Sequence, residues 1–139
     1  MATWGAGSFD NDDGADFAVE FESEGLEALR DAFDIVGEDD LEAAKAQRAI
    51  AAAEILALTE AGDAADQAIS PELYEAAQRY ASEILPQMTQ LRRRAWAALD
   101  RIEADRSELK QLWEEDDPTE WSDAMTALRE RLSTPARRG

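Results

Sequence analysis

The stretch from Leu41 to Ala61 most constrains the fold, because it is rich in alanine and because the apolar residues within 49–58 cover nearly the whole circumference of a helix. Alanine has the highest helix propensity, and a helix that is apolar on all sides is normally buried. Asp39 and Glu42 have the spacing of a capping arrangement before this stretch, and Gly62 suits its end. We therefore predict a central helix over 41–61, with small alanines that let other helices approach closely.

Amphipathic segments on both sides predict the remaining helices. They share apolar residues at helical spacing and span about 13–22, 24–36, 70–84, 87–113 and 121–132. The sequence leaves open whether 87–113 is one bent helix or two. No segment alternates like a strand, and 139 residues suit one domain. The prediction is an all-α fold with a single compact domain of about six helices over 1–134, followed by a flexible tail over 135–139.

Local residues mark several helix boundaries. Leu26, Leu29, Phe33 and Val36 are spaced to share one face of the second helix, and Gly37 suits its end.

Proline and serine mark three further boundaries. Ser70 followed by Pro71 is a typical helix start, the Leu85–Pro86 step breaks or kinks the chain, and Ser107 is placed to cap a later helix.

The composition excludes most common catalytic chemistry. The chain contains neither histidine nor cysteine, so triads based on histidine, thiolate nucleophiles and the usual transition-metal ligand sets are absent. We therefore assign no catalytic residue and predict no cofactor. The lack of cysteine, of a secretory leader and of an apolar run of about 20 residues predicts a cytoplasmic protein outside the membrane.

The charge of the chain indicates what kind of partner it can have. The net charge is −18, and residues 1–42 contain fourteen acidic residues against Arg30 alone, a net charge of −13. This charge opposes direct binding of nucleic acid or anionic lipid, and it favours a basic protein partner. The alternative is that the acidic surface serves solubility.

The first seventeen residues form the most distinctive motif. Before Asn11, two glycines and two aromatic residues, followed by several side-chain oxygen acceptors, predict a non-helical lead-in that ends where Asn11 or Asp12 caps the first helix. Together with one carboxylate of the central helix, residues of this motif are the predicted binding site: Trp4, Gly5, Gly7, Phe9, Asp10, Asn11, Asp12, Asp16 and Glu54.

This motif resembles the N-terminus of a bacterial family classed as a domain of unknown function, DUF4259, which reads W-G-x-G-x-F-x-N-D-x-A-x-D-F/W. The matching positions are Trp4, Gly5, Gly7, Phe9, Asn11, Asp12, Asp16 and Phe17. The likeness continues through 51–54, 107–115 and 121–132, whereas Gly14 departs from the family's more usual alanine. The resemblance implies a small helical domain and no particular activity.

The N-terminal carboxylates also permit a divalent-metal hypothesis. Asp10, Asp12, Asp16 and Glu20 offer the oxygen ligands that Mg²⁺ or Ca²⁺ prefer, although Phe9 occupies the first ligand position that an EF-hand would need. The competing interpretation is that these carboxylates cap the first helix, and we assign no metal ligand.

Glu54 is the acidic exception within the apolar central helix. After folding, Lys45, Arg48 or the run over 92–94 could neutralise it, which predicts a buried ion pair that fixes helix register; a catalytic acid is the alternative. No second catalytic group accompanies it, so acid–base catalysis lacks a visible pair.

Tryptophan supplies two further hypotheses. Trp4 either packs back onto the helices or is a surface anchor for a partner. Exposure of Trp96, Trp113 and Trp121 would favour an oligomerising helical unit, and the sequence does not determine the oligomeric state.

These observations favour a non-enzymatic acidic protein-binding module of inhibitor or immunity type that docks a basic partner surface, in one variant as a nucleic-acid mimic. The alternative is a divalent-metal-dependent hydrolase or small-ligand-binding protein, which requires Asp10, Asp12, Asp16 and Glu54 to converge.

Overall fold

Helix α3 (Ala43–Ala61) lies at the centre of the molecule and packs against every other helix in the described part of the chain. The computed structural model describes residues 12–61 and 71–133. Alanines that point in several directions from α3 are completely buried: Ala46, Ala49, Ala51, Ala52 and Ala53. Because alanine side chains are short, several helices can approach α3 at once. The predicted alanine-rich central helix is confirmed.

The described residues form an all-α fold. The other helices are α1 (Asp12–Glu24), α2 (Leu26–Ala32), α4 (Pro71–Arg79), α5 (Ala81–Ile84), α6 (Met88–Glu103), α7 (Glu108–Glu115) and α8 (Pro118–Ser133). A 3-10 turn over Leu85–Gln87 joins α5 to α6. The all-α class and the single compact helical domain are confirmed. The predicted lead-in before α1 and the predicted tail over 135–139 lie outside the described residues.

Apolar side chains from the surrounding helices form one core against α3. Phe17 and Phe21 of α1, Leu29 of α2, Leu99 of α6 and Leu128 of α8 are all at most 2% exposed. Each such side chain contributes about 1.5–3 kcal/mol to folding through its removal from water. The helices are therefore held mainly by their apolar faces.

The second helix ends earlier than the apolar spacing predicted. α2 ends at Ala32, and residues 33–37 form consecutive turns. Phe33 and Ile35 are buried, whereas Val36 is 52% exposed. The predicted placement of Val36 on the buried face is wrong, because the turns do not keep the rotation of about 100° per residue that a helix has.

The first amide of α3 is capped by a residue distant in sequence. The amide of Ala43 donates to Glu108 Oε1 of α7 at 2.8 Å. This carboxylate complements the positive end of the α3 dipole. It replaces the local capping arrangement that was predicted for Asp39 and Glu42.

The boundary predictions for Pro71, Pro86 and Ser107 are confirmed, whereas Gly37 does not end α2, and Gly62 and Ser70 lie outside the described residues. α4 begins at Pro71, and the 3-10 turn contains Pro86. The Ser107 hydroxyl accepts a hydrogen bond from the Lys110 amide at 3.4 Å and caps α7. α6 and α7 are separate helices, so the segment over 87–113 is not one bent helix.

A single glycine makes the turn between α1 and α2. Gly25 has φ of +60° and ψ of −127°, a conformation that residues with a side chain rarely adopt. The Tyr80 ring covers it: a Cβ at position 25 would lie 2.5–2.8 Å from three ring atoms. The Tyr80 hydroxyl donates to the Glu22 carbonyl at 3.0 Å, and its ring packs edge-on against Phe21 with 5.5 Å between centroids. Gly25 thus permits both the turn and the close approach of α4 to α1.

Candidate acidic binding surface

The structure describes three of the nine residues predicted to form the binding site. Asp12 and Asp16 are exposed in the first turns of α1, and Glu54 lies within α3. The remaining predicted site residues lie outside the described residues: Trp4, Gly5, Gly7, Phe9, Asp10 and Asn11. For these six the predicted role stays a prediction.

Glu54 is held in a bidentate ion pair with α8. Arg131 Nε donates to Glu54 Oε2 at 3.0 Å, and Arg131 Nη2 donates to Glu54 Oε1. The Glu54 side chain is 13% exposed and that of Arg131 is 48% exposed. Two parallel charge-assisted hydrogen bonds fix the direction of both side chains, so the pair sets how α8 crosses α3.

The partners predicted for Glu54 are wrong, because Arg93 is exposed and the others contact other groups. Arg92 binds Glu60, Arg48 binds Glu20 and Asp31, Lys45 binds Glu38, and Arg94 donates to the carbonyl of Arg30. Within the run over 92–94 only Arg93 is exposed. Arg131 is 77 residues from Glu54 in sequence, and no local pattern indicates that they meet.

Removal of Arg131 is expected to destabilise the fold measurably. We expect Arg131→Ala to lower the free energy of unfolding by about 1–2 kcal/mol, between the values for exposed and buried ion pairs. A double-mutant cycle with Glu54→Gln, followed by urea denaturation, measures the coupling, which we expect to be about 1 kcal/mol. A coupling near zero would mean that the pair does not hold α8 on α3.

The described carboxylates do not converge on a metal site. In residues 12–61 and 71–133 no group of three or more acidic side chains is arranged to hold a metal ion. Asp12, Asp16 and Glu54 therefore form no such group together, and Asp10 lies outside the described residues. The metal-dependent alternative gains no geometric support from this part of the chain.

The tryptophans that favoured an oligomerising unit are not freely exposed. Trp121 is buried, and Trp96 and Trp113 are half-buried against the core. The guanidinium of Arg129 lies 4.8 Å from the centroid of the Trp96 ring and covers it. The described tryptophans thus serve the packing of the domain.

Residues 12–42, called here the acidic segment, keep much of their charge unneutralised. Some of their carboxylates bind bases, namely Glu20, Glu27, Asp31, Glu38 and Asp40. Others are exposed and make no ion pair within the described residues: Asp12, Asp16, Glu24, Asp34, Asp39 and Glu42. The surface of this segment therefore carries an excess of negative charge that the chain's own described bases do not offset.

One of the ion pairs of this segment raises the pKa of a lysine. Glu38 accepts a hydrogen bond from Lys45 Nζ at 3.0 Å. This hydrogen bond, together with the charge of Glu38, raises the pKa of Lys45 above its ordinary value. The pair therefore persists until the pH rises through that raised pKa, well above neutrality.

Arg101 joins the loop before α3 to the loop after α6. Its guanidinium donates to the carbonyls of Glu38 at 2.9 and 3.1 Å and of Asp39 at 3.0 Å. It also donates to the carbonyls of Asp105 at 3.0 Å and Arg106 at 3.2 Å. A basic residue in the last turn of a helix often binds nearby carbonyls, so the contacts of Arg101 to the carbonyls of Asp105 and Arg106 could be anticipated from the sequence. No local pattern indicates its contacts to the carbonyls of Glu38 and Asp39.

Backbone hydrogen bonds hold the same two loops together. The Leu41 amide donates to the Arg106 carbonyl at 2.9 Å, and the Glu108 amide donates to the Leu41 carbonyl at 2.9 Å. Arg106 has a φ of +63°, in the left-handed region. Its guanidinium binds Asp40 through Nε at 2.9 Å and Nη2 at 3.2 Å.

A concave surface lies beside these loops and encloses a volume of about 350 Å³. Its lining combines the end of the acidic segment with the start of α7: Asp40, Leu41, Glu42, Arg106, Glu108 and Gln111. The sequence did not indicate it, because its two halves are more than sixty residues apart along the chain.

These features define a small all-α domain with an exposed acidic surface. The chain belongs to the family described as domain of unknown function DUF4259, whose model matches residues 2–124. The resemblance to this family is confirmed. No curated protein and no solved structure matches the chain. Within the described residues, no helix has the length and apolar character needed to cross a membrane.

Proposed function

We propose that this protein is a non-enzymatic binding module, of inhibitor or immunity type, that docks a basic surface of a partner protein. The observation that carries the proposal is the set of exposed carboxylates in the acidic segment that make no ion pair in the described part of the chain. The proposal places the protein in a bacterial cytoplasm, in keeping with a chain that uses no cysteine.

Charge on such a surface acts mainly on association. Complementary potentials steer two proteins together and discriminate against partners with the wrong charge. An excess of carboxylates on one side of a small domain would attract a partner that presents lysine and arginine. In one variant of this proposal the partner binds nucleic acid, and the carboxylates occupy the places of phosphates.

The test is capture of a basic protein from native lysate at two salt concentrations. Raising the salt from about 0.1 M to about 1 M shortens the Debye length from about 10 Å to about 3 Å. We expect the wild type to enrich a basic protein at low salt and to lose it at high salt, as read by mass spectrometry. Salt-insensitive binding, or enrichment of acidic proteins, would contradict the proposal.

A matched pair of variants tests whether the acidic segment or the total net charge attracts the partner. The first variant replaces six carboxylates of the segment by amides: Asp12, Asp16, Glu24, Asp34, Asp39 and Glu42. The control replaces six exposed carboxylates elsewhere: Glu75, Glu83, Asp105, Glu114, Asp116 and Asp123. Both variants have the same net charge. We expect only the first to lose the partner; equal losses would show that total charge, and not this segment, attracts it.

A further inference from the structure

The outer face of α7 has no partner within the described residues. Glu108, Gln111, Leu112 and Glu115 are spaced i, i+3, i+4 and i+7, so they form one stripe along the helix, and all four are exposed. Leu112 is 52% exposed, whereas Leu109, one turn earlier and about 60° around the helix, is buried. Leu112 therefore lies beside the buried side of α7 and is the apolar residue of a stripe whose other members are polar or acidic.

The concave surface continues directly from this stripe, because Glu108 and Gln111 belong to both. Arg106 is bound to Asp40, and Glu108 Oε1 accepts the Ala43 amide. The carboxylate of Glu42 makes no ion pair or hydrogen bond in the described part of the chain, and neither does the side chain of Gln111.

The chemistry of the lining selects the ligand. Its one cationic side chain, Arg106, is already paired with Asp40, and the other polar side chains of the lining offer mainly oxygen acceptors. Such a lining suits a side chain that brings positive charge and N–H donors, above all the planar guanidinium of arginine. An adjacent exposed leucine suits an apolar side chain about one helical turn away.

We propose that this α7 face, formed by Glu42, Glu108, Gln111, Leu112 and Glu115, is where the basic partner docks. The occupant is an amphipathic basic helix that lays an arginine over the concave surface and an apolar side chain against Leu112. Helix stripes with i, i+3 and i+4 anchors are a common way for a helix to lie in a groove. A second copy of this chain is a poor occupant, because two chains that each carry a net charge of −18 would repel each other. The inference rests on the proposed function and specifies the docking surface.

The experiment uses two fluorescein-labelled peptides of equal positive charge. One contains arginines without apolar residues, and the other is a helical peptide with the same arginines and a stripe of leucines. We expect wild-type protein to bind the second peptide more tightly in fluorescence anisotropy. Leu112→Ser is expected to remove this preference, whereas Val19→Ser, at a position on α1 that is 64% exposed, keeps it.

Charge variants test the acidic part of the face. We expect Glu42→Gln combined with Glu115→Gln to weaken binding of both peptides about two- to fivefold per charge. The control combines Glu75→Gln with Glu83→Gln, which changes the net charge equally at exposed positions outside both the acidic segment and the α7 face, and we expect it to weaken binding less. Circular dichroism of every variant checks that it is folded.

The outcomes separate the inference from the proposed function. If the wild type binds neither peptide, both are overturned. If the wild type binds but Leu112→Ser keeps the leucine preference, or the Glu75 and Glu83 control weakens binding as much as the Glu42 and Glu115 variant, the docking face is wrong and the acidic binding module stands.

Discussion

Gly25→Ala is expected to lower the free energy of unfolding by about 2–5 kcal/mol, far more than the same methyl group added at Gly37. Two physical causes contribute. A side chain at φ of +60° and ψ of −127° strains the backbone by about 1–3 kcal/mol. The added Cβ would also meet the Tyr80 ring at 2.5–2.8 Å, and such overpacking costs about 1–3 kcal/mol. Urea denaturation followed by circular dichroism measures the loss.

Two comparisons separate these causes. Gly37→Ala adds the same methyl group where no atom lies within 4 Å, and we expect a change of no more than about 1 kcal/mol, in the stabilising direction. In the Gly25→Ala background, Tyr80→Ala relieves the clash and leaves the backbone strain. The double variant should therefore lose less stability than the sum of the two single variants. A Gly25→Ala protein as stable as the wild type would show that the turn between α1 and α2 has another conformation.

Arg101→Ala is expected to lower the free energy of unfolding by about 2–4 kcal/mol. The guanidinium donates hydrogen bonds to four backbone carbonyls in two loops, and no other side chain in the described part of the chain donates to these four. A hydrogen bond with a charged donor contributes about 1.5–3 kcal/mol, and water recovers part of this at the exposed carbonyls. Arg101→Lys should restore little, because an ammonium group lacks the planar fork that reaches several acceptors at once.

Hydrogen exchange shows whether Arg101 acts through the two loops. We expect the amides of Leu41 and Glu108, which link the loops, to exchange faster in Arg101→Ala while amides at the centre of α3 change less. Arg93→Ala is the control, since Arg93 is exposed, and its stability should stay within about 0.5 kcal/mol of the wild type. Full stability of Arg101→Lys would show that charge alone, without the fork, is sufficient.

Structural features that depend on residues close together in the chain could be predicted from the sequence. The central part of α3, over 49–58, is helical and buried because its alanines favour the helix and its apolar residues leave no polar side to face water. Ser107 caps α7 and Pro71 begins α4 because each acts on the amides and dihedral angles of its own first turn. Val36 marks the limit, since apolar spacing cannot show where a short helix gives way to turns.

The candidate site depended on contacts between distant parts of the chain. The excess of acid in the first 42 residues is a property of composition, and composition alone is enough to indicate a basic partner. Which carboxylates stay unpaired depends on where Arg48, Lys45 and Arg106 arrive after folding.

Helix type, helix starts and the sign of the surface charge follow from the sequence, because propensity, capping and composition act over a few residues or over the whole chain regardless of its path. The pairing of Glu54 with Arg131, the cap that Glu108 places on α3 and the concave surface beside α7 follow only from the tertiary structure. Each of them joins residues more than sixty positions apart, and the packing of apolar faces around α3, rather than any local preference, brings these groups within hydrogen-bonding distance.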